Sequence, residues 1–215
     1  MRTFLVFLFV LCSFCFGNAD AQVITYIDEN RHITLTERTQ DNGLNVNTEV
    51  FTEYADGFGT FNTSIGSLVS QNSTLTFNSL VATGSAQGSG IFTSSSSSST
   101  FEVLFDLSDF ADYSLDFSST FLAQGFFTLS GPNLNISADL GDPFFEPLEI
   151  TQVGVLEPGQ YNIEIEVFQF SSGFPDPDPP SAFDLDFQIS AVPEPSSLAL
   201  IALSSFVFSI RRIRS

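Results

Sequence analysis

Apolar and polar residues alternate one by one over much of the chain, and this alternation constrains the fold more than any other feature. It is clearest at 101–107, 161–167 and 183–189, where every second residue is aromatic or aliphatic. Successive side chains of a β-strand point to opposite faces, so each segment predicts a strand with one buried and one solvated face. Further strands are expected at 23–27, 33–39, 44–52, 74–78, 113–117, 126–129, 134–138 and 148–155.

Turn residues separate these segments. Gly, Asn, Asp and Pro cluster at 41–43, 131–133, 141–143 and 158–159. Because one-sided sheets must pair to bury their apolar faces, the pattern predicts an all-β fold, an antiparallel β-sandwich of jelly-roll or Greek-key type. We expect Tyr161 to bond back to the backbone at a corner before a late strand.

The body, residues 22–190, contains two stretches that we predict to be loops. The Ser-rich stretch 93–100 has low complexity and is expected to be flexible. The Pro/Asp-rich stretch 171–181 is expected to be a long hairpin loop between the last two strands. One sandwich with a long loop and an N-terminal sheet packed on a C-terminal sandwich are both possible; we favour one continuous β domain.

Residues 1–21 have the pattern of a secretory signal. Arg2 precedes an apolar run at 4–16, and Ala19 and Ala21 supply the small residues that signal peptidase recognises. We predict a signal helix that is cleaved before Gln22. A retained anchor is the alternative, but the run is short for a membrane span. Both cysteines lie in this segment, so the mature chain would have no thiol chemistry.

Residues 191–215 combine three features in a fixed order. They are Pro193, Glu194 and Pro195, then an uncharged run at 196–210, then Arg211, Arg212 and Arg214. We expect the run to form a short transmembrane helix, with the arginines as a cytoplasmic stop-transfer cluster. In this order the features resemble the PEP-CTERM protein-sorting signal of Gram-negative bacteria that make exopolysaccharide.

The resemblance implies two processing enzymes and a route. Signal peptidase would act at the N-terminus, and a membrane exosortase would recognise the chain near Glu194 and remove the tail. The implied locations are an inner-membrane intermediate, then the cell surface or extracellular matrix, with exopolysaccharide as a candidate partner. A plain C-terminal membrane anchor with a proline-rich hinge is the alternative.

The charge of the chain argues against nucleic-acid binding. It has 25 acidic residues against six arginines and no lysine, whereas contact with phosphates needs basic side chains. The lone His32 has no nucleophile motif near it and is expected to be a surface residue, and a single His argues against zinc. The aspartates lack the EF-hand spacing. They are Asp106, Asp109, Asp112, Asp176 and Asp178. We therefore predict no catalytic, cofactor-binding or metal-binding residues.

Binding functions are harder to separate. Sugar-binding surfaces use aromatic faces with a polar edge, but this chain has no Trp and only four Tyr, and we expect the Phe of the body to lie in the core. The leading hypothesis is an exported, non-enzymatic surface or matrix protein with a structural or adhesive role. The alternative is a carbohydrate- or calcium-binding matrix module. The matrix role follows from the resemblance alone.

Overall fold

The computed structural model describes residues 24–41, 45–88, 93–121, 123–140, 147–171 and 179–192. These residues form twelve β-strands and no helix. The strands are β1 (Ile24–Asp41), β2 (Asn45–Tyr54), β3 (Thr60–Ile65), β4 (Val69–Leu75), β5 (Ser79–Ala86), β6 (Thr93–Leu107), β7 (Ala111–Ser119), β8 (Gln124–Ser130), β9 (Asn135–Asp139), β10 (Glu149–Leu156), β11 (Gly159–Ser171) and β12 (Ser181–Ala191).

The strands form two six-stranded antiparallel sheets. The first has the order β2-β1-β6-β11-β8-β9 and the second the order β10-β7-β12-β5-β4-β3. Aromatic rings from the two sheets meet between them: the centroids of Phe117 and Phe127 are 4.3 Å apart, and those of Phe105 and Phe187 are 6.2 Å apart. The predicted all-β antiparallel fold is therefore confirmed, and the two sheets pack face to face.

The last eight strands pair in a nested order. β5 pairs with β12, β6 with β11, β7 with β10 and β8 with β9, and successive pairs alternate between the two sheets. This nested ribbon folded over two sheets is the jelly-roll topology. β1 and β2 extend the first sheet beside β6, while β3 and β4 extend the second sheet beside β5. Strands from both halves of the chain thus contribute to each sheet.

Tyr161 forms the predicted corner. Its hydroxyl lies 2.9 Å from the Glu157 carbonyl oxygen and 2.7 Å from Asn133 Oδ1, so its proton has two acceptors. The Asn133 side chain in turn donates to the Val155 carbonyl oxygen at 2.8 Å. Gly131 gives the ring its space, because a Cβ there would lie 2.1 Å from the Tyr161 ring. The corner thereby ties the β10–β11 turn to the β8–β9 turn.

The Ser-rich stretch 93–100 is not a loop, and that prediction is wrong. It forms the first half of β6, which is paired with β1 on one side and β11 on the other. Ser95, Ser97 and Ser99 face the interior, and a Cβ on Gly84 of the opposite sheet would lie only 2.5 Å from Ser99 Oγ. The small side chains therefore let the sheets approach closely, and serine on both faces hides the alternation that marks a strand.

The Pro/Asp-rich stretch 171–181 does not connect a hairpin, because β11 lies in the first sheet and β12 in the second. Residues 172–178 themselves lie outside the described residues. The strand predicted at 74–78 is also wrong in its bounds, since β4 ends at Leu75 and a turn leads to β5.

Both predicted helices fall outside the described residues, the signal helix within 1–21 and the transmembrane helix at 196–210. Within the ranges that are described, no helix has the length and apolarity needed to cross a bilayer.

Candidate functional site

Both ends of the described chain lie at one end of the sandwich. The Ile24 N–H, at the start of β1, donates to the Phe77 carbonyl oxygen at 3.2 Å. The Val192 N–H, just beyond β12, donates to the Phe110 carbonyl oxygen at 3.4 Å. We call this end, with Ile24, Val192 and the turns at 76–78 and 108–110, the exit end; the opposite end of β12 is the far end.

The predicted sorting residues follow the fold without a linker. β12 ends at Ala191, paired on one side with β5 and on the other with β7. Proline has no N–H to donate to a sheet, and Pro193 follows Val192 directly in the sequence. The predicted residues beyond it lie outside the described residues, as do those at the N-terminus. They are Pro193, Glu194, Pro195, Arg211, Arg212 and Arg214, with Ala19 and Ala21 at the N-terminus.

The outer face of the first sheet carries aromatic and hydroxyl side chains together. Phe168 and Phe170 of β11 form an edge-to-face pair with centroids 5.4 Å apart, and Phe170 is 60% exposed. In the register of β6 they lie opposite Ser98 and Ser96, which in turn lie opposite threonines of β1. The prediction that phenylalanine belongs to the core is wrong for Phe170, because the period of two places it on the solvent face.

His32 lies on the same outer face, on β1, and β6 separates it from β11. Its ring packs against Tyr54 with centroids 5.3 Å apart, and its Nδ1 is 3.0 Å from Asn30 Oδ1. Desolvation lowers the pKa of His32, while the charges of Glu166 and Glu102 oppose that shift. The imidazole ring, tilted by 33° against the exposed Tyr54 ring, adds a polar aromatic surface to the sheet.

Three glutamates lie beside this surface. Glu102 of β6 and Glu164 of β11 are direct cross-strand partners, and Glu166 is the next outward residue of β11. Burial, and then the charges of Glu102 and Glu166, raise the pKa of Glu164. Asn30 Nδ2 donates to Glu102 Oε2 at 3.2 Å. Carboxylates repel other anions, so this group of glutamates disfavours an anionic ligand at the surface.

The aspartates weighed for calcium do not form a site where the structure describes them. Across the described ranges, no group of three or more His, Cys, Asp or Glu is arranged to hold a metal ion. Asp109 accepts a hydrogen bond from the neighbouring Phe110 N–H at 2.7 Å, as in an ordinary turn. Asp176 and Asp178 lie outside the described residues.

Arg31 is an organising residue that the sequence reasoning missed. It is 1% exposed and forms an ion pair with Glu29. Its Nη1 donates to the Gly59 carbonyl oxygen at 2.9 Å and to Ser73 Oγ at 3.0 Å, and its Nη2 donates to the Gly57 carbonyl oxygen at 2.8 Å. Arg31 therefore fixes the 55–59 loop, which crosses from the first sheet to the second. The sequence signal for the burial of Arg31 was its place among the alternate residues of β1 that face the interior.

Comparison with known proteins locates one match. Residues 191–214 match the PEP-CTERM protein-sorting motif. No curated protein and no solved structure matches the chain. The match starts at Ala191, the last residue of β12, and includes the Pro193–Pro195 segment and the three terminal arginines. The resemblance inferred from the sequence is confirmed: this β-sheet protein carries a PEP-CTERM protein-sorting motif that begins at the last residue of β12.

Proposed function

We propose that this protein is exported and delivered through the exosortase pathway to the cell surface or extracellular matrix of a Gram-negative bacterium, where its β-sandwich has a structural or adhesive role without catalysis. The observation that carries the proposal is the PEP-CTERM match at 191–214. Signal peptidase would act after Ala21, and the apolar run 196–210 would hold the chain in the inner membrane until exosortase acts. The logic is that of other C-terminal signals in which a temporary anchor presents a cleavage site.

The body supports a role outside the cell. Between Gln22 and Val192 the chain has 23 acidic side chains and only two arginines. Such a surface keeps a protein soluble and repels anionic polymers at short range. Adhesion would therefore depend on neutral contacts, such as those of Phe168, Phe170 and the serines on the outer face of the first sheet.

The processing step is tested by expressing the full chain in two host strains, one with and one without exosortase. We expect mass spectrometry to show loss of the Arg214 terminus only in the strain that has the enzyme. Glu194→Gln should slow this loss, whereas Glu157→Gln, which also changes a Glu before a Pro, should not. An intact Arg214 terminus in the exosortase strain would count against the proposal.

Carbohydrate binding is a second candidate, favoured by the aromatic pair Phe168 and Phe170 beside hydroxyl side chains. A sugar ring can stack on an aromatic ring while its hydroxyls bond to serine and threonine. On a glycan array, Phe170→Ala should abolish any signal, and Phe110→Ala, at a similarly exposed residue of the exit end, should leave it unchanged. The absence of any glycan signal would remove this candidate.

The non-enzymatic part of the proposal has its own test. Incubation of the purified chain with exopolysaccharide should leave the polymer length unchanged. Depolymerisation that disappears on replacement of one Asp or Glu would overturn it, because paired carboxylates are the catalytic groups of glycoside hydrolysis.

A further inference from the structure

Exposed phenylalanines gather at the exit end. Phe77 and Phe110 are 47% and 51% exposed, and their carbonyl oxygens accept the hydrogen bonds from the first and last described residues. Phe77 lies in the β4–β5 turn, and the Asn78 carbonyl oxygen of the same turn accepts the Ile189 N–H of β12 at 2.8 Å. Both rings therefore lie next to the point where the chain leaves the fold.

A third ring belongs to the same end. Phe58 is 50% exposed and stacks on Tyr26 with centroids 5.3 Å apart. The Tyr26 hydroxyl donates to the Thr76 carbonyl oxygen at 2.6 Å, which places Phe58 beside the turn that carries Phe77. Arg31 holds the loop of Phe58 through two carbonyl oxygens. Several exposed apolar side chains in one region mark an interaction surface.

The length of chain beyond Val192 determines what this surface meets. The apolar run begins at Ser196, four residues after Val192. An extended chain spans at most about 3.6 Å per residue, so the fold cannot lie more than about 14 Å from the start of the run. The headgroup layer outside the hydrocarbon is roughly 5–7 Å thick on each side of a bilayer. When the run is in a membrane, the exit end is therefore held within about 9 Å of the outer surface of the headgroups.

We propose that the exit end is a bilayer-contact surface, on which Phe58, Phe77 and Phe110 enter the interface of a zwitterionic membrane while the chain is anchored through 196–210. The proposal rests on the anchoring step of the proposed function. Apolar aromatic side chains partition into the boundary between headgroups and acyl chains. The exposed Asp109 and Asp112 on either side of Phe110 would be repelled by anionic headgroups, which favours zwitterionic lipid.

This contact would have a consequence for processing. A sandwich held by its exit end keeps the segment from Val192 to Ser196 at the membrane surface. A membrane enzyme would then meet the sorting motif at a constant height, instead of on a freely tumbling body.

The absence of Trp from the chain allows a direct test. Phe110→Trp and Phe77→Trp each introduce a single fluorophore at the exit end, and Phe121→Trp introduces one at the far end, where the native ring is 53% exposed. Phe121 adjoins Thr120, whose N–H donates to the Ala182 carbonyl oxygen near the start of β12. β12 has 11 residues, so this control lies about 35 Å from the exit end.

The full-length variants are reconstituted into phosphatidylcholine vesicles brominated near the top of the acyl chains, and flotation is measured on the same samples. We expect about twofold quenching of Trp fluorescence for Phe110→Trp and Phe77→Trp and none for Phe121→Trp. In vesicles rich in phosphatidylglycerol at low salt, the quenching should fall.

If the chain floats with the vesicles but the three variants show the same degree of quenching, the lipid contact is overturned and the anchoring step is left intact. A surface that contacts exosortase instead of lipid gives the same result in vesicles of lipid alone. Chain that does not float would overturn the anchoring step and the contact together.

Discussion

The space between the two sheets differs in chemistry from one region to another. Between the nested strands it is filled by an aromatic interior, which consists of Phe101, Phe105, Phe117, Phe127, Tyr161 and Phe187. Beside β1–β4 lies a polar interior, which contains Arg31, Gln71, Ser73, Ser95, Ser97 and Ser99, next to a small apolar cluster of Ile33, Leu35 and Val69. The same sheets and the same strand β6 run through both. Burial in this fold therefore does not require apolar residues everywhere, since small side chains let the sheets approach and groups such as Arg31 and Ser97 find hydrogen-bond partners.

The largest effect is expected in the aromatic interior. Phe127 is fully buried and stacks on Phe117, so Phe127→Ala should lower the free energy of unfolding by about 4 kcal/mol through lost contacts and a residual cavity. Urea unfolding measures this loss. Phe121→Ala, at an exposed site, should change stability by less than about 0.5 kcal/mol. A loss below about 1 kcal/mol for Phe127→Ala would show that the aromatic interior repacks freely.

In the polar interior, Arg31→Met should cost about 3 kcal/mol, because it leaves the buried Glu29 carboxylate and two carbonyl oxygens without their cation. The same urea experiment tests it, with the exposed Arg38→Met as the control. Adding Glu29→Gln to Arg31→Met should recover part of the loss. Equal effects of the two arginine variants would show that burial of Arg31 carries no energetic weight.

The close approach of the sheets is tested by Gly84→Ala. The added Cβ would lie 2.3 Å from Phe183 Cε1 and 2.5 Å from Ser99 Oγ, and we expect a loss of about 2 kcal/mol from overpacking. Thr83→Ala, on the exposed side of the same strand, is the matched control. Equal melting temperatures of the two variants in calorimetry would contradict the close approach of the two sheets at Gly84.

Two serines of β6 should respond with opposite signs. Ser99 Oγ is buried without a hydrogen-bond partner among the described residues, so Ser99→Ala should raise stability by about 1 kcal/mol. Ser97 Oγ donates to the Gln87 carbonyl oxygen at 3.0 Å, so Ser97→Ala should lower stability by a similar amount. A loss for Ser99→Ala would instead indicate an ordered water between Ser99 and Gln71, whose amide is also unpartnered there.

The smallest effect is a pH dependence on the outer face. The pKa of His32 is lowered from 6.5 in the folded protein, so the unfolded chain takes up the proton first. The contribution of His32 to the free energy of unfolding is therefore complete above pH 6.5. It is lost as the pH falls through the pKa that His32 has in the folded protein. His32→Gln should make the urea midpoint less dependent on pH between about pH 7 and pH 5.5. The pKa of Glu164 is raised, so its contribution to stability changes with pH in the opposite direction, and at lower pH. If His32→Gln left the pH dependence of the urea midpoint unchanged, His32 would not be the group responsible for it.

The sheet architecture could be predicted because its signal is local. Alternation at 101–107, 161–167 and 183–189 identifies strands with one apolar face, and two such faces must cover each other. The corner at Tyr161 was also predictable, since its acceptor on Glu157 is only four residues away. The PEP-CTERM motif is a linear pattern and needs no fold at all to be recognised.

The rest depends on partners far apart in the chain. The serine half of β6 has no apolar contrast between its faces, and only its pairing with β1 and β11 makes it a strand. Apart from Glu29, the hydrogen-bond acceptors of Arg31 are 26 to 42 positions away in the chain, which no short pattern encodes. The exposure of Phe170 follows from the strand register, and the grouping of Phe58, Phe77 and Phe110 follows from the topology.

The position of β12 between β5 and β7 has a mechanical consequence. Tension applied to Val192 by a tethered tail would act along the axis of β12, across ladders of hydrogen bonds on both flanks that run perpendicular to it. Such bonds must shear together and cannot open one after another from an end. A copy held by its C-terminus would thus pass a pulling force into the middle of the second sheet and resist being unravelled strand by strand.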